Sequence, residues 1–175
     1  MPEAGRHSIR FFREDDAEQL LTIARTAILS IGPRAYSCDQ IAVWAARHDN
    51  AQRYCLRPSQ GDIILVAVDA GSRPCGYALL QQDGHLDHLY IAPDHTRSGL
   101  GDRLLADAER HARQIGSQRL FTEASDLARP AFERAGYSVT HRRDFAIDGV
   151  AIHNWAMEKA VTSTGHAPSA HQPVK

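Results

Sequence analysis

Cysteine is scarce. The 175 residues hold three, Cys38, Cys55 and Cys75, with no C-x-x-C spacing among them. An odd, scattered set excludes a disulfide framework and a four-cysteine zinc module, and it suits reduced thiols in a cytoplasmic protein. Long apolar runs are missing too. No stretch approaches the roughly 20 residues that span a bilayer, and "MPEAGRHSIRFF" lacks the apolar core of a secretory signal. Charge excess of one sign is also absent. The formal net charge is -1, and no basic stripe is evident, which argues against nucleic acid or an anionic membrane as a partner. There is no internal repeat.

What remains is an ordinary globular composition, 43% hydrophobic and 23% charged, with length for one core and little room for a second. Residues 1–160 are expected to form one domain. Residues 161–175, ending in "TSTGHAPSAHQPVK", have no periodicity and are expected to be a disordered tail.

The hydrophobic pattern predicts the order β-α-α-β-β-β-α-β-α-β-β, an α/β (α+β) domain around one mixed, mostly antiparallel sheet flanked by helices. "SIRFF" (8–12) reads as a strand. "REDDAEQLLTIARTAILSIG" follows as a helix, with acids in its first turn and Leu20, Leu21, Ala24 and Ile28 at helical spacing. In "SCDQIAVWAARHD", Ser37 and Gln40 stand in capping-box positions. "DIILVAVDA" (62–70) suits a strand buried on both faces. "CGYALLQQ" (75–82) and "HLDHLYIA" (85–92) complete a meander. "DHTRSGLGDRLLADAERHARQIG" (94–116) supplies a long helix with the stripe Leu100, Leu104, Leu105, Ala108, Ala112 and Ile115, closed by Gly116. "RLFTEAS" (119–125), a short helix "ARPAFERAG" (128–136) and two more strands end the domain.

Gly99 and Gly101 open the long helix. The first-turn amides of a helix lack intrahelical partners and carry partial positive charge. A strand that runs into a glycine turn and then a helix is a ready site for phosphate, and Arg97 adds a cation. The spacing fits neither a Walker loop nor the dinucleotide fingerprint. On spacing alone, a flexible helix start with no ligand is an equal reading.

"LDHLYIAPDHTRSGLGDRLLADAERHARQIG", followed by "LFTEASDLARPAFERAGYSV", resembles the GNAT (GCN5-related) N-acetyltransferase superfamily. "YSCDQIAVWA", "HTRSGLG", "EASDLARPAFERAGY" and "HNWAMEK" look like its YafP-type branch. The resemblance covers roughly residues 8 to 159. Gly99, Gly101, Ala128, Glu133 and Gly136 match. Thr96, Ser125 and Phe132 depart, standing where an Arg or Gln, an asparagine and a thiolate-protonating tyrosine are usual. The resemblance implies acetyl-CoA as cosubstrate and a primary amine, expected to be that of a small molecule, as acceptor. A protein acceptor, or a CoA-binding module without catalysis, is the alternative. It implies that the pyrophosphate sits on amides of Arg97, Ser98, Gly99, Leu100, Gly101 and Asp102. The pantetheine would lie along backbone groups of Leu89 and Ile91 like an added strand, beside Tyr90. The Ile91 N–H would polarise the thioester carbonyl. A homodimer is compatible with the family.

Acyl transfer needs a neutral amine, a polarised carbonyl and a departing thiolate. Glu123 is the candidate base, sharing a strand face with Ser125; the other reading is a solvated surface carboxylate. Ser125 is a proton relay or a helix cap. Tyr90 reaches the thioester sulfur or simply packs on the sheet. Tyr36, Trp44 and Asn154 are candidates for the acceptor pocket, against core packing for the two aromatics and a turn or sheet bond for Asn154. His85 and Asp87 alternate with His88 along a strand, and no distant pair completes a ligand set, so no metal is expected.

Overall fold

The computed structural model describes residues 7–161. The expected tail falls outside the described residues from 162 on. Val161 is buried and donates its backbone N–H to Gln118 at 2.8 Å, so it belongs to the folded body.

The elements are β1 (Ser8–Phe11), α1 (Ala17–Ile31), α2 (Cys38–Ala46), α3 (Gln52–Leu56), β2 (Ile63–Val68), β3 (Pro74–Leu80), β4 (Leu86–Ile91), α4 (Leu100–Gln114), β5 (Arg119–Ala124), α5 (Arg129–Arg134), β6 (Ser138–Ile147) and β7 (Val150–Ala160). The order is the one the hydrophobic pattern predicts, with one addition, the single-turn α3. It is too short for periodicity to reveal.

Local chemistry sets the boundaries. Asp16, buried before α1, takes both guanidinium nitrogens of Arg10 at 2.7 and 2.8 Å and the Arg13 N–H at 2.8 Å. This fork fixes β1 against α1. Ser37 and Gln40 form the expected capping box of α2. The long helix begins at the glycines, as its sequence pattern predicts: Pro93–His95 is a separate 3-10 turn, and Gly99 (φ 76°) caps α4. Ile115 does not join the α4 stripe. It is half exposed, because the helix ends at Gln114 and the chain turns away.

β2 is buried on both faces. Leu65 and Ala67 pack with Leu104, Leu105 and Ala108 of α4, while Ile64, Val66 and Val68 pack with Leu20, Ile23 and Ala24 of α1. Each such leucine or isoleucine contributes about 1.5–3 kcal/mol of burial.

The expected single sheet is split. β1-β2-β3-β4 form one antiparallel ladder and β5-β7-β6 another. They meet through one parallel bridge, His85 to Phe121, beside Phe121 N–H to Gly84 O at 3.1 Å and Thr122 Oγ1 to Leu86 O at 2.8 Å. Gly84 (φ 92°) permits this approach, since a Cβ there would collide with the Arg119 carbonyl. Beyond the bridge β4 and β5 share no ladder. β4 also carries a bulge: Leu80 opposes Leu86 while Leu79 opposes His88, leaving Asp87 as the extra residue. Leu86, Leu89 and Ile91 consequently all face α4. Bulges redirect side chains beside functional clefts, and beyond the bridge a gap lies between the two sheets.

Candidate active site

Two cavities meet in that gap. The first, about 500 Å³, runs between β4, the start of α4 and α5. Its walls include Leu89, Ile91, Leu127, Ala131 and Phe132, with Gly99, Gly101, Arg97 and Asp102 at one end. The second, about 550 Å³, is lined by α2, α3 and the β6–β7 hairpin. Trp44, Asp87, Tyr90, Glu123 and Ser125 line both.

The first cavity is made of backbone and apolar surface. The first α4 hydrogen bond runs from Arg103 N–H to Gly99 O at 3.1 Å, so the amides of Leu100, Gly101 and Asp102 precede the helix ladder and have no intrahelical acceptor. Ser98 instead donates its hydroxyl to His95 O. Gly99 is explained by its left-handed backbone. Gly101 is not: a Cβ there would meet no protein atom within 4 Å. Glycine in a first helical turn costs up to about 1 kcal/mol against alanine. The space beside Gly101 belongs to the cavity. Along β4, Ala92 N–H bonds Cys75 O at 2.9 Å. Antiparallel alternation then turns the N–H and C=O of Leu89 and Ile91 toward the open edge.

The second cavity is made of side chains. Tyr36 is buried, sits just before α2, and stacks edge-on with Trp44 at 5.5 Å. Its hydroxyl accepts the Asp126 N–H at 2.9 Å. The two rings pack on each other, and both line the second cavity. Ser125 Oγ accepts the Ala128 N–H at 3.2 Å in the turn before α5; Ala128, not Ser125, is the N-cap residue, without a side-chain cap, and Ser125 borders both cavities. Asn154 Oδ1 is buried with no hydrogen-bond partner among the described residues, and the residue lines the second cavity. A buried acceptor left unpaired is costly and marks a place where a donor belongs.

Glu123 is no free surface carboxylate. Its Oε2 lies 2.6 Å from His85 Nε2, and its Oε1 lies 3.7 Å from Arg143. The His85 hydrogen bond, with the charges of His85 and Arg143, outweighs burial and holds Glu123 below the usual carboxylate range. Burial pushes His85 down, but the bond to Glu123 and its charge outweigh that and raise it. Phe121 stacks on His85 at 4.8 Å, and Gln81 Oε1 meets the other ring nitrogen at 3.0 Å.

Tyr90 points to the α1 face, its hydroxyl 3.2 Å from His48 Nε2. Burial raises the phenol, and burial with the nearby His88 lowers His48 to about 4. The pair is a neutral phenol beside a neutral imidazole. Phe132 is buried edge-on against Tyr137 at 5.1 Å. His85 turns away from the other two, to Glu123; Asp87 binds Arg57 at 2.7 Å and lies 3.8 Å from His88, which meets Tyr77 at 3.1 Å. Sequence reasoning missed His48 and Arg143 at this junction, and it weighed His85 only as a metal ligand. No pattern announces them, because each arrives through a non-local crossing.

No helix among the described residues is long and apolar enough to cross a membrane. The chain is 27% identical over 149 residues to the N-acetyltransferase YafP of Escherichia coli K12, covering 85% of this chain and 93% of that protein. It superimposes on a GCN5-related N-acetyltransferase from Rhodopseudomonas palustris with TM-score 0.82 and 29% identity, covering 89% of this chain and 96% of the other. The PaiA N-acetyltransferase of Thermoplasma acidophilum, solved with coenzyme A, shares the fold at TM-score 0.72 and 21% identity over 88% of this chain and 98% of its own. The model of the acetyltransferase (GNAT) domain matches residues 33–159, most of the chain, and the protein therefore belongs to the GNAT acetyltransferase family.

Proposed function

We propose that the protein transfers the acetyl group of acetyl-CoA to the primary amine of a small molecule. The observation that carries this reading is the junction of the two cavities at Tyr90, Glu123 and Ser125. One cavity suits a long donor with a phosphate end. The other, about 550 Å³, is of the size that holds a small ligand.

In this reading the pyrophosphate rests on the amides at the start of α4, and the pantetheine amides pair with the free β4 edge at Leu89 and Ile91. The acetyl carbonyl then lies where the Ile91 N–H can bond its oxygen. The amine enters from the side-chain cavity and donates to Asn154 Oδ1. Arg143 nearby disfavours its ammonium form, whereas Arg57 is already paired with Asp62 and Asp87. Glu123 takes the amine proton directly or through water. The nitrogen attacks the carbonyl, the C–N bond forms, the C–S bond breaks, and coenzyme A leaves as the thiolate. Protonation of that thiolate falls to Tyr90 or to water, because Phe132 has no proton to give.

The test has two stages. Calorimetry should show acetyl-CoA binding, and a panel of amines and antibiotics should show acceptor-dependent release of free thiol. Absence of binding at millimolar acetyl-CoA would sink the reading. Binding without turnover on any amine or peptide would instead identify a CoA-binding module.

A further inference from the structure

At the far end of the four-stranded sheet, three ligand-type side chains from separate segments converge. His7 precedes β1, Cys75 lies near the start of β3, and His95 ends the turn after β4. His7 Nε2 and His95 Nδ1 are 3.0 Å apart, and Cys75 Sγ joins them so that all three donor atoms lie within 4.8 Å of one another. No other three such residues gather this closely among the described residues. We propose that His7, Cys75 and His95 form a binding site for a thiophilic divalent ion, Zn²⁺ by its chemistry, with water in the fourth position.

Two imidazoles and a thiolate are a borderline-soft donor set that suits tetrahedral zinc. Zinc–nitrogen bonds of about 2.0–2.1 Å at tetrahedral angles place the two nitrogens about 3.3 Å apart, close to the observed 3.0 Å. The sulfur then needs to close in by about an ångström, from separations of up to 4.8 Å toward about 3.6 Å. It gives up little to do so, because its one hydrogen bond is a weak 3.4 Å donation to Ala67 O. The three backbones are already held. Arg103 donates to His7 O at 3.0 Å, Ala92 N–H to Cys75 O at 2.9 Å, and His95 N–H to Ala92 O at 2.9 Å. Cys75 is only 2% exposed, and it has no disulfide. Burial, and after it the charges of Asp69 and Asp94, push the Cys75 thiol up to about 11, so the proton leaves only as the cation binds and takes its place on sulfur.

The site stands apart from Glu123 and Ser125 but not from the donor cavity, since His95 also lines that cavity beside Thr96 and Arg97. A bound ion ties the glycine turn to β1 and β3. It should raise the melting temperature by mass action.

The experiment needs no turnover, so it is independent of the acyl-transfer reading. Full-length protein is stripped with chelator and titrated with Co²⁺, then Zn²⁺ is competed against a colorimetric chelator. One ion per chain is expected, with a near-ultraviolet thiolate-to-cobalt charge-transfer band. Cys75→Ser should abolish the band, and His7→Gln and His95→Gln should each weaken binding by at least about tenfold. His141→Gln, on an exposed strand, should change nothing. Circular dichroism identifies any variant that fails to fold, and the His7 and His95 variants then carry the test. A folded wild type with no band, or folded His7→Gln and His95→Gln variants that bind as wild type does, overturns the proposal.

Discussion

The two cavities are built from different materials. The first cavity, proposed for the donor, joins amides, a bare strand edge and apolar walls to a few charged groups, among them Arg97, Asp102 and Arg134. The second cavity, proposed for the acceptor, carries Arg47, Arg53, Arg57, Arg143, His48 and His88 against Asp87 and Glu123. A backbone site can be shared by chains whose side chains differ, because amides are common to all residues and only glycine spacing has to be kept. A side-chain site is particular to this chain. The donor is therefore readable from the fold, and the acceptor has to be found by assay.

Removing the carboxylate at the junction should break that contrast most severely. Glu123→Gln keeps the shape and deletes the basicity. General-base catalysis is worth about 10²- to 10⁴-fold, so turnover should fall by that order while acetyl-CoA affinity by calorimetry stays at the wild-type value. Unchanged turnover across the pH range would return Glu123 to a merely structural partner of His85.

On the donor side the informative change is Gly101→Val. Valine is a better helix residue than glycine, and its Cβ meets no protein atom, so the free protein should melt no lower than wild type. The branched side chain fills the space beside the helix amides. Acetyl-CoA affinity should drop about ten- to a hundredfold, or 1.4–2.7 kcal/mol. Undiminished affinity would mean that the phosphates lie elsewhere.

The acceptor side has a matching probe in Asn154→Leu. Its unpaired Oδ1 is replaced by an apolar group of similar size, which removes a buried unsatisfied acceptor and should not lower stability. If the oxygen receives the amine, acceptor KM should rise by about tenfold, as loss of roughly one hydrogen bond implies. Acetyl-CoA binding should not move.

These tests also mark where sequence ran out. α4 and its glycines were legible because a 3.6-residue stripe and a helix start are local. So were the capping box at Ser37 and the doubly buried β2. The division of the sheet was not, since it depends on Gly84 meeting Arg119. Nor was the bulge at Asp87, which moved His88 and Tyr90 relative to Asp87 as strict alternation along β4 cannot anticipate. Glu123 was legible as a strand carboxylate, but its partner His85 comes from 38 residues away through the parallel bridge. Tyr36, Trp44 and Asn154 reached one cavity, though nothing local in the sequence joins them.

His85→Gln sharpens the comparison by pH. In wild type, His85 holds Glu123 below its ordinary value, so the carboxylate stays charged further into acid than a free one does. Without the imidazole its pKa rises, and the anion is lost at a higher pH. At pH 7 both forms are ionised, and turnover should change by only a few-fold. Near pH 5 the variant should lose more than wild type does. Donor affinity should stay the same at both values. Parallel pH profiles would show that His85 does not set the charge of Glu123.

The smallest effect is expected where the sequence departs most visibly from its family. Phe132 stands in the place of the usual thiolate-protonating tyrosine, and its ring is buried against Tyr137 at the edge of the donor cavity. Phe132→Tyr adds one hydroxyl at the edge of a cavity that Tyr90 also lines. If departure of the thiolate limits the rate, turnover rises. If Tyr90 or water already supplies that proton, turnover stays within about twofold, which is under 0.5 kcal/mol of barrier, and this is the outcome the geometry favours. The two cases separate on a second measurement. Tyr90→Phe alone should then lower turnover, and Phe132→Tyr in that background should restore it. Restoration would place proton supply within reach of both positions. A double variant no faster than Tyr90→Phe would leave the proton to solvent and Phe132 to packing.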